Sequence, residues 1–211
     1  EGMEQAEPGQ ELSFEEVCGN VLTFVVAGFD TSKSLFKTVM RCLAANPDVY
    51  ERLQAEIKAL PAEDPLTPRA INQLTYLDQV IDEALRYECP VSLVLREAVT
   101  ATTLAGYDLP QNTLILLAQH IAHHDSRYWD APEKFLPERF APGSGQPSHP
   151  GAYFPFTDGD RKCIGAAFGK MEVKIGLIHL LRAGLRWEVT NPDAPGAHGP
   201  TFQRPLEIRL V

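Results

Sequence analysis

The stretch FTDGDRKCIG, residues 156–165, carries the most specific pattern in this sequence. Its glycines permit a tight loop, and the residues that follow favour a helix, so Cys163 is predicted at a helix start. The free N–H groups and the positive end of a helix favour the thiolate form of a cysteine there, and Arg161 adds positive charge. Gly165 has no side chain and would let a flat group approach closely. An inert buried cysteine is the alternative for a lone residue of this type.

The spacing F-x-x-G-x-R-x-C-x-G, from Phe156 to Gly165, favours a functional cysteine over that alternative. Five fixed residues at these spacings occur by chance on the order of 10⁻⁵ times per chain of this length. The pattern resembles the haem-binding loop of the cytochrome P-450 superfamily, the haem-thiolate monooxygenases, whose cofactor is haem b. The resemblance implies that Cys163 is the axial iron ligand, that Arg161 faces a haem propionate and that Phe156 packs beside the thiolate. Asp160 is a departure, since many members carry proline there.

Upstream, Glu83 and Arg86 have the E-x-x-R spacing, which places both charges on one face of a helix predicted over 74–88. The spacing alone is common, and a surface ion pair worth about 0–1 kcal/mol also explains it. Its position before the cysteine loop matches a helix of the resembled family that forms a structural triad with an arginine of the segment called the meander. Residues 135–140, FLPERF, resemble the meander and indicate Arg139 as the third member.

A long apolar helix is predicted to start at Ser13, where Ser13 and Glu16 have the spacing of a capping box. It can run for about 33 residues before a proline interrupts it, which is roughly 50 Å. Its middle, residues 21–29, is apolar nearly all round and must be covered on most sides. A compact chain of this size has a diameter of about 43 Å. The helix therefore protrudes or is covered by something else.

Within this helix, residues 27–31 read AGFDT. Asp30 and Thr31 need polar partners there, and Thr31 can bond back to a carbonyl oxygen one turn earlier. In the resembled family this stretch crosses the distal haem face. The resemblance implies that Ala27 and Gly28 border a groove for oxygen and water, and that Asp30 and Thr31 relay protons to dioxygen. It favours an oxygen-activating enzyme over the branches that rearrange peroxides.

Residues 91–118 are predicted to form short strands with a turn at Gly106. Arg96 lies in this segment. From the sequence alone, it is equally well explained as a surface arginine at a strand end or as a binding residue. The resemblance implies that Arg96 binds a haem propionate. It also implies that the residues before Arg96, the Ala27 region and the turn at 200–203 line the substrate pocket.

The remaining segments complete the predicted order of elements. Asn46 is predicted to cap a second helix that begins with Pro47. Residues 125–162 are rich in proline and glycine and are expected to be irregular. A helix is predicted over about 164–183, and the alternation at 206–210 predicts a strand.

The pattern H-x-x-H-H, formed by His120, His123 and His124, suggests a metal site but lacks a convincing fourth ligand. With the residues that follow, it resembles the segment before the meander instead. The remaining cysteines are expected to be small buried hydrophobic residues; they are Cys18, Cys42 and Cys89.

The net charge of −9 argues against a nucleic acid partner. The resemblance implies a small apolar substrate and an electron-donor protein, namely a ferredoxin, a flavodoxin or a reductase. Lys162, Lys170 and Lys174 are candidates for docking an acidic donor, although solvated lysines are equally consistent. The predicted function is a monooxygenase that inserts one oxygen atom of dioxygen into an apolar organic substrate. The alternatives are a haem-binding module or pseudoenzyme without turnover, and a peroxide-driven peroxygenase.

The predicted fold class is mainly α with small β-sheets (α+β). After a lead-in at 1–12, residues 13–211 resemble the C-terminal half of the family's domain: the long central helix, the E-x-x-R helix, the meander, the cysteine loop and the helix after it. The N-terminal half of the same fold is expected as a partner, on a separate or a cleaved chain. No apolar stretch is long enough to span a bilayer. A cytoplasmic location is predicted, and an anchor in the missing N-terminal part is left open.

Overall fold

The computed structural model describes residues 12–60, 66–191 and 206–211. The helices are α1 (Phe14–Ala45), α2 (Pro47–Lys58), α3 (Pro68–Ile71), α4 (Thr75–Tyr87), α5 (Gln119–His123) and α6 (Ala166–Arg182). The strands are β1 (Leu93–Glu97), β2 (Thr102–Leu104), β3 (Tyr107–Leu109), β4 (Leu114–Ala118), β5 (Trp187–Val189) and β6 (Ile208–Leu210). The predicted class, mainly α with small sheets, is confirmed.

Helix α1 begins with the predicted capping box. The Glu16 amide donates to Ser13 Oγ at 3.2 Å, and the Ser13 amide donates to Glu16 Oε2 at 2.7 Å. At the other end, Asn46 Nδ2 donates to the Cys42 carbonyl at 2.8 Å, and the Asn46 side chain makes no capping bond to α2. Asn46 is thus the N-cap residue of α2, as predicted, but its side chain satisfies a terminal carbonyl of α1 instead of an amide of α2.

The core lies where the carboxyl-terminal half of α1 packs against α2, α4 and α6. Side-chain burial on α1 starts only at Ser34. A side-chain carbon added at Gly176 would lie 2.6 Å from Phe36 Cε2, so glycine is what lets α6 approach α1 this closely. The fully buried core side chains include Val39, Leu43, Leu53, Leu77, Ile81, Leu177, Ile178 and Leu181.

The amino-terminal half of α1 presents an apolar face that the described residues leave uncovered. Phe14 is 82% exposed and Phe29 is 69% exposed. The same holds for Val21, Leu22, Phe24, Val25 and Val26, each more than half exposed. We call these seven residues the α1 apolar face. It agrees with the expectation that this helix protrudes or is covered by something other than the described chain.

The described residues form three two-stranded antiparallel sheets: β1 with β4, β2 with β3, and β5 with β6. The predicted turn at Gly106 joins β2 to β3 with Ala105 and Gly106 in the left-handed region, at φ 51° and 85°. In the first sheet Leu95 pairs with Leu116, and both side chains are exposed on one face. The predicted irregular segment at 125–162 is confirmed apart from three short 3₁₀ turns.

Candidate functional site

Glu83, Arg86 and Arg139 meet in the interior, and the first two are fully buried. Arg86 donates from Nε to Glu83 Oε2 at 2.7 Å and from Nη2 to Glu83 Oε1 at 2.8 Å. Arg139 Nε donates to Glu83 Oε1 at 3.2 Å. A carboxylate held by two guanidinium groups away from water depends on all three partners, because removing one leaves a buried charge uncompensated.

The remaining donors of the two arginines hold the meander backbone. Arg86 Nη1 donates to the carbonyl oxygens of His123 and Pro132, each at 2.9 Å. Arg139 donates to the Ala131 carbonyl at 2.5 Å and also to the Asp130 carbonyl. The arrangement orders an irregular segment that has little regular secondary structure of its own.

The cysteine loop is closed by its own backbone. The Cys163 amide donates to the Phe156 carbonyl at 2.9 Å, and the Lys162 amide donates to the Gly159 carbonyl at 3.0 Å. The Cys163 side chain is exposed and unpaired with any other cysteine of the described residues. A side-chain carbon added at Gly165 would lie 3.9 Å from Cys163 Sγ. An accessible sulfur therefore sits beside a residue that adds no bulk.

Arg161 and Phe156 flank this sulfur along the chain. Arg161 is exposed at the end of a 3₁₀ turn, and its carbonyl oxygen accepts from Thr157 Oγ1 at 2.9 Å. Phe156 is half-buried against the core. Helix α6 starts at Ala166, two residues later than predicted, because residues 164 and 165 form a turn.

On α1, Thr31 Oγ1 donates to the Ala27 carbonyl at 2.8 Å, which confirms the predicted bond to the previous turn. Asp30 is partly exposed and pairs with Lys33 at 2.5 Å. A side-chain carbon added at Gly28 would meet no described atom within 4 Å, so the helix surface is open there. The turn of α1 from Gly28 to Thr31 thus carries an acid, an alcohol and an open helix surface at Gly28.

The approach of α6 to α1 brings the cysteine end of the fold towards this turn. A side-chain carbon added at Gly169, on the second turn of α6, would lie 3.6 Å from Ser32 Oγ. Ser32 follows Thr31 directly in α1, and Gly169 follows Cys163 by less than two helical turns. The helix crossing therefore places the two candidate stretches in the same region of the molecule.

Arg96 lies on the half-buried face of β1, opposite Ile115 of β4. Its Nη1 donates to the Leu95 carbonyl at 3.0 Å. Its Nη2 is buried and has no hydrogen-bond partner among the described residues. A buried guanidinium donor without a partner is costly, so this position favours an anionic ligand over an ordinary surface arginine.

Comparison with protein families identifies the chain. The family model described as Cytochrome P450 matches residues 1–197. The chain belongs to the cytochrome P450 family. It is 40% identical over 191 residues to the Probable cytochrome P450 6a13 of Drosophila melanogaster, which covers 85% of this chain and 38% of that relative. It is 35% identical over 179 residues to the human Cytochrome P450 3A7, covering 84% of this chain and 35% of that relative. The chain thus spans less than half the length of these cytochrome P450 relatives.

Membership of the cytochrome P450 family implies a haem iron, and the described residues fit such a group at three points. Cys163 offers an exposed sulfur, which is a ligand for haem iron in this family. Gly165 leaves room beside that sulfur for a flat macrocycle. The unpartnered Arg96 Nη2 offers a donor that a haem propionate would satisfy.

Two of the three lysines considered for donor docking are engaged elsewhere in this cytochrome P450 chain. Lys174 is buried and pairs with Asp78 of α4 at 2.6 Å. Lys170 pairs with Asp82 of α4 at 2.5 Å. Lys162 is exposed. The interpretation of Lys174 as a docking residue is therefore wrong, because its cation is buried against α4. For Lys170, whose side chain is 28% exposed, and for Lys162 it stays a prediction.

The histidines of the H-x-x-H-H pattern make structural contacts. His123 is fully buried, and its Nε2 accepts from the Phe154 amide at 3.1 Å. His124 Nδ1 lies 3.0 Å from the His120 carbonyl. In the described ranges no group of three potential metal-binding side chains occurs. The sequence did not indicate that His123 contacts the backbone ahead of the cysteine loop. The H-x-x-H-H pattern shows only that a polar side chain is present at this position.

His123 makes stability depend on pH. Burial, followed by the charge of Arg86, lowers the pKa of His123 from 6.5 to about 3. Between about pH 3 and pH 6.5 the unfolded state binds a proton that the folded state does not bind. The free energy of unfolding therefore falls as the pH drops below about 6.5. We expect a loss of about 2 kcal/mol at pH 5 relative to neutral pH. Urea unfolding of the unaltered protein and of His123→Gln at both pH values measures it.

In His123→Gln this pH-dependent loss should disappear, because the group that titrates is gone. His179→Gln, which alters an exposed histidine of α6, is the matched control and should keep it. Equal pH dependence in all three proteins would show that another group is responsible.

The prediction that all three remaining cysteines are buried is wrong for one of them. Cys42 and Cys89 are buried, whereas Cys18 is exposed. Cys18 lies on the uncovered amino-terminal half of α1, so its exposure has the same origin as that of the α1 apolar face.

Within the described ranges, none of the helices combines the length and apolar character that crossing a bilayer requires. The turn at 200–203, expected to line a substrate pocket, lies outside the described residues.

Proposed function

We propose that this chain forms the iron-ligating and oxygen-activating part of a haem-thiolate monooxygenase that inserts one oxygen atom of dioxygen into a small apolar substrate. The observation that carries the proposal is the exposed Cys163 thiol in the spacing F-x-x-G-x-R-x-C-x-G. Membership of the cytochrome P450 family supports it. The cofactor proposed is haem b.

Four residues would hold the cofactor. Cys163 would provide the axial sulfur, and Phe156 would pack beside it and keep water from the sulfur. Arg96 and Arg161 would bind the propionates, because both are guanidinium donors suited to carboxylates. When bound, the haem supplies the oxidising chemistry, and the thiolate adds electron density to the iron.

The distal side would be formed by the turn of α1 that contains Ala27, Gly28, Asp30 and Thr31. The open surface at Gly28 leaves room for oxygen and water beside the helix. Thr31 Oγ1 donates its proton to the Ala27 carbonyl, so its lone pairs remain free to accept from a water or a ligand. Asp30 is partly exposed and can exchange protons with solvent. We infer that Asp30 takes protons from solvent and that Thr31, by accepting from a water, positions that water to carry them into this space.

Thr31→Ala is expected to lower oxygen-dependent product formation by about 100-fold or more, because a positioned proton-transfer group contributes about 10²–10⁴-fold. Substrate consumption and product yield per electron, with a ferredoxin or reductase as donor, measure the effect. Thr23→Ala is the matched control, since Thr23 makes the same 2.8 Å bond to the carbonyl of Gly19 on the same helix. The control should retain full activity.

Asp30→Asn should behave like Thr31→Ala. If both variants match the unaltered protein, the proton-relay role is refuted. Turnover with hydrogen peroxide alone, unaffected by Asp30→Asn, would indicate a peroxide-driven peroxygenase. Haem binding without turnover under any of these conditions would indicate a haem-binding module or pseudoenzyme.

We infer that the α1 apolar face is covered by the N-terminal half of the same fold. Four leucines of β1 and β4 are also exposed; they are Leu93, Leu95, Leu114 and Leu116. The greater length of the matched relatives supports this inference, because they contain sequence that could form such a half. Such a half can belong to the same polypeptide, to a separate chain or to a cleaved one.

Binding of a dye that fluoresces on apolar surfaces tests this inference. The 211-residue chain should bind the dye strongly, and Leu22→Lys with Phe29→Glu should reduce the signal because both side chains lie on the α1 apolar face. The control must alter an exposed residue, which excludes core positions such as Leu53. Exposed Val99→Lys, on the loop after β1, is the appropriate one. A signal equally low in all proteins would contradict the inference.

A further inference from the structure

Three buried side chains hold the backbone just ahead of the cysteine loop. Gln119 Nε2 donates to the Phe154 carbonyl at 2.5 Å, and the Phe154 amide donates to His123 Nε2 at 3.1 Å. Cys89 Sγ donates to the Pro155 carbonyl at 3.5 Å. Each of the three side chains belongs to a buried residue. We call Cys89, Gln119 and His123 the loop clamp.

The two titratable members of the loop clamp keep the protonation states that their bonds require. Burial raises the pKa of Cys89 to about 11, so the thiol keeps the proton that it donates. Burial lowers the pKa of His123 to about 3, so the ring is neutral and Nε2 accepts. Gln119 and His123 lie four residues apart on α5 and therefore point from one helix face.

The loop clamp lies between the buried triad and the candidate iron ligand. On one side, Arg86 Nη1 donates to the His123 carbonyl at 2.9 Å. On the other side, the Phe154 carbonyl also accepts from the Thr157 amide at 3.0 Å, which closes a turn. The next residue but one, Phe156, accepts from the Cys163 amide at 2.9 Å. Hydrogen bonds thus lead from Arg86 to Cys163 through the clamped backbone.

We propose that Cys89, Gln119 and His123 are positioning residues that fix the Phe154–Pro155 backbone and thereby hold Cys163 at the place where it ligates the iron. The proposal rests on the proposed function, in which Cys163 is the axial ligand. Fixed ligand geometry requires side chains whose own orientation is locked by packing and hydrogen bonds, and the loop clamp meets this requirement.

The test uses the haem-loaded protein and the absorption spectrum of its reduced carbon-monoxide complex. Gln119→Leu and His123→Leu should each raise the ratio of the form without thiolate ligation to the thiolate form by about tenfold. His123→Leu leaves the Phe154 amide without its acceptor, and Gln119→Leu removes one of the two donors to the Phe154 carbonyl. His123→Gln should restore most of the thiolate form, because its side-chain oxygen can accept from the Phe154 amide.

Gln54→Leu is the matched control. Gln54 is a buried glutamine of α2, and its Nε2 donates to the Tyr50 hydroxyl at 3.2 Å. Its loss removes a comparable hydrogen bond far along the chain from the loop. If Gln54→Leu shifts the spectral ratio as strongly as Gln119→Leu, the effect is general destabilisation and the proposal is refuted.

Hydrogen exchange of the haem-free protein provides a measurement that does not depend on the cofactor. The Cys163 amide should exchange about tenfold faster in Gln119→Leu and His123→Leu than in the unaltered protein or in Gln54→Leu. Unchanged exchange and unchanged spectra in both variants would overturn the proposal.

The proposed function and the positioning role of the loop clamp can be refuted separately. If Cys163→Ser keeps the thiolate-type spectrum, the proposed ligand is wrong, and with it the proposed function. If Cys163→Ser loses that spectrum while Gln119→Leu and His123→Leu match Gln54→Leu, only the positioning role is wrong.

Discussion

Replacing Glu83 with alanine is expected to destabilise the protein by about 3–5 kcal/mol, because it leaves two buried guanidinium groups without their shared carboxylate. Arg86 is fully buried, so solvent cannot compensate its charge. The Leu136 amide, which donates to Glu83 Oε1 at 2.8 Å, also loses its acceptor. The midpoint and slope of urea unfolding measure the loss.

Glu188→Ala is the control for this experiment. Glu188 pairs with Arg209 at 2.6 Å, but both side chains are more than half exposed. Its removal should cost no more than about 1 kcal/mol, as for other exposed pairs. If Glu83→Ala and Glu188→Ala lower the free energy of unfolding equally, the triad is not the structural element that its burial indicates.

Cys163→Ser is expected to weaken haem retention by about 100-fold or more. Even residues around a metal ligand contribute about 10–100-fold to metal affinity, and removing the ligand itself should cost at least as much. Serine has nearly the same size, so the loop backbone, held by the bond from the Cys163 amide to the Phe156 carbonyl, should persist. Haem transfer to an excess of a haem-scavenging protein measures the dissociation rate.

Cys18→Ser is the matched control, because Cys18 is the other exposed cysteine of the described chain. It lies on the second turn of α1, on the part of the helix that the described residues leave uncovered. It should retain haem as the unaltered protein does. Equal haem retention in Cys163→Ser and Cys18→Ser would show that Cys163 is not the iron ligand.

Helices with clear local signals were predictable from the sequence. The capping box at Ser13 and Glu16 and the proline after Asn46 define α1, and the spacing of apolar residues defines α4. Helix α5 was not predicted, because its five residues are too short to show a period. Its two side-chain contacts with the Phe154 backbone, from Gln119 and His123, join residues more than 30 positions apart, which the local sequence does not indicate.

The candidate site was predictable only where residues lie close together along the chain. The loop around Cys163 is such a case. The meeting of Glu83 with Arg139 joins segments 56 positions apart, and only the family resemblance indicated it. The burial of Lys174 depends on how α6 packs against α4, and composition predicts a solvated lysine there instead.

The reduced carbon-monoxide spectrum of the haem-loaded protein tests the central claim, ligation of iron by Cys163, most directly. We expect the long-wavelength Soret band typical of thiolate ligation in the unaltered protein and in Cys18→Ser, and its loss in Cys163→Ser. Absence of that band from the unaltered protein, or its persistence in Cys163→Ser, would show that Cys163 does not ligate the iron.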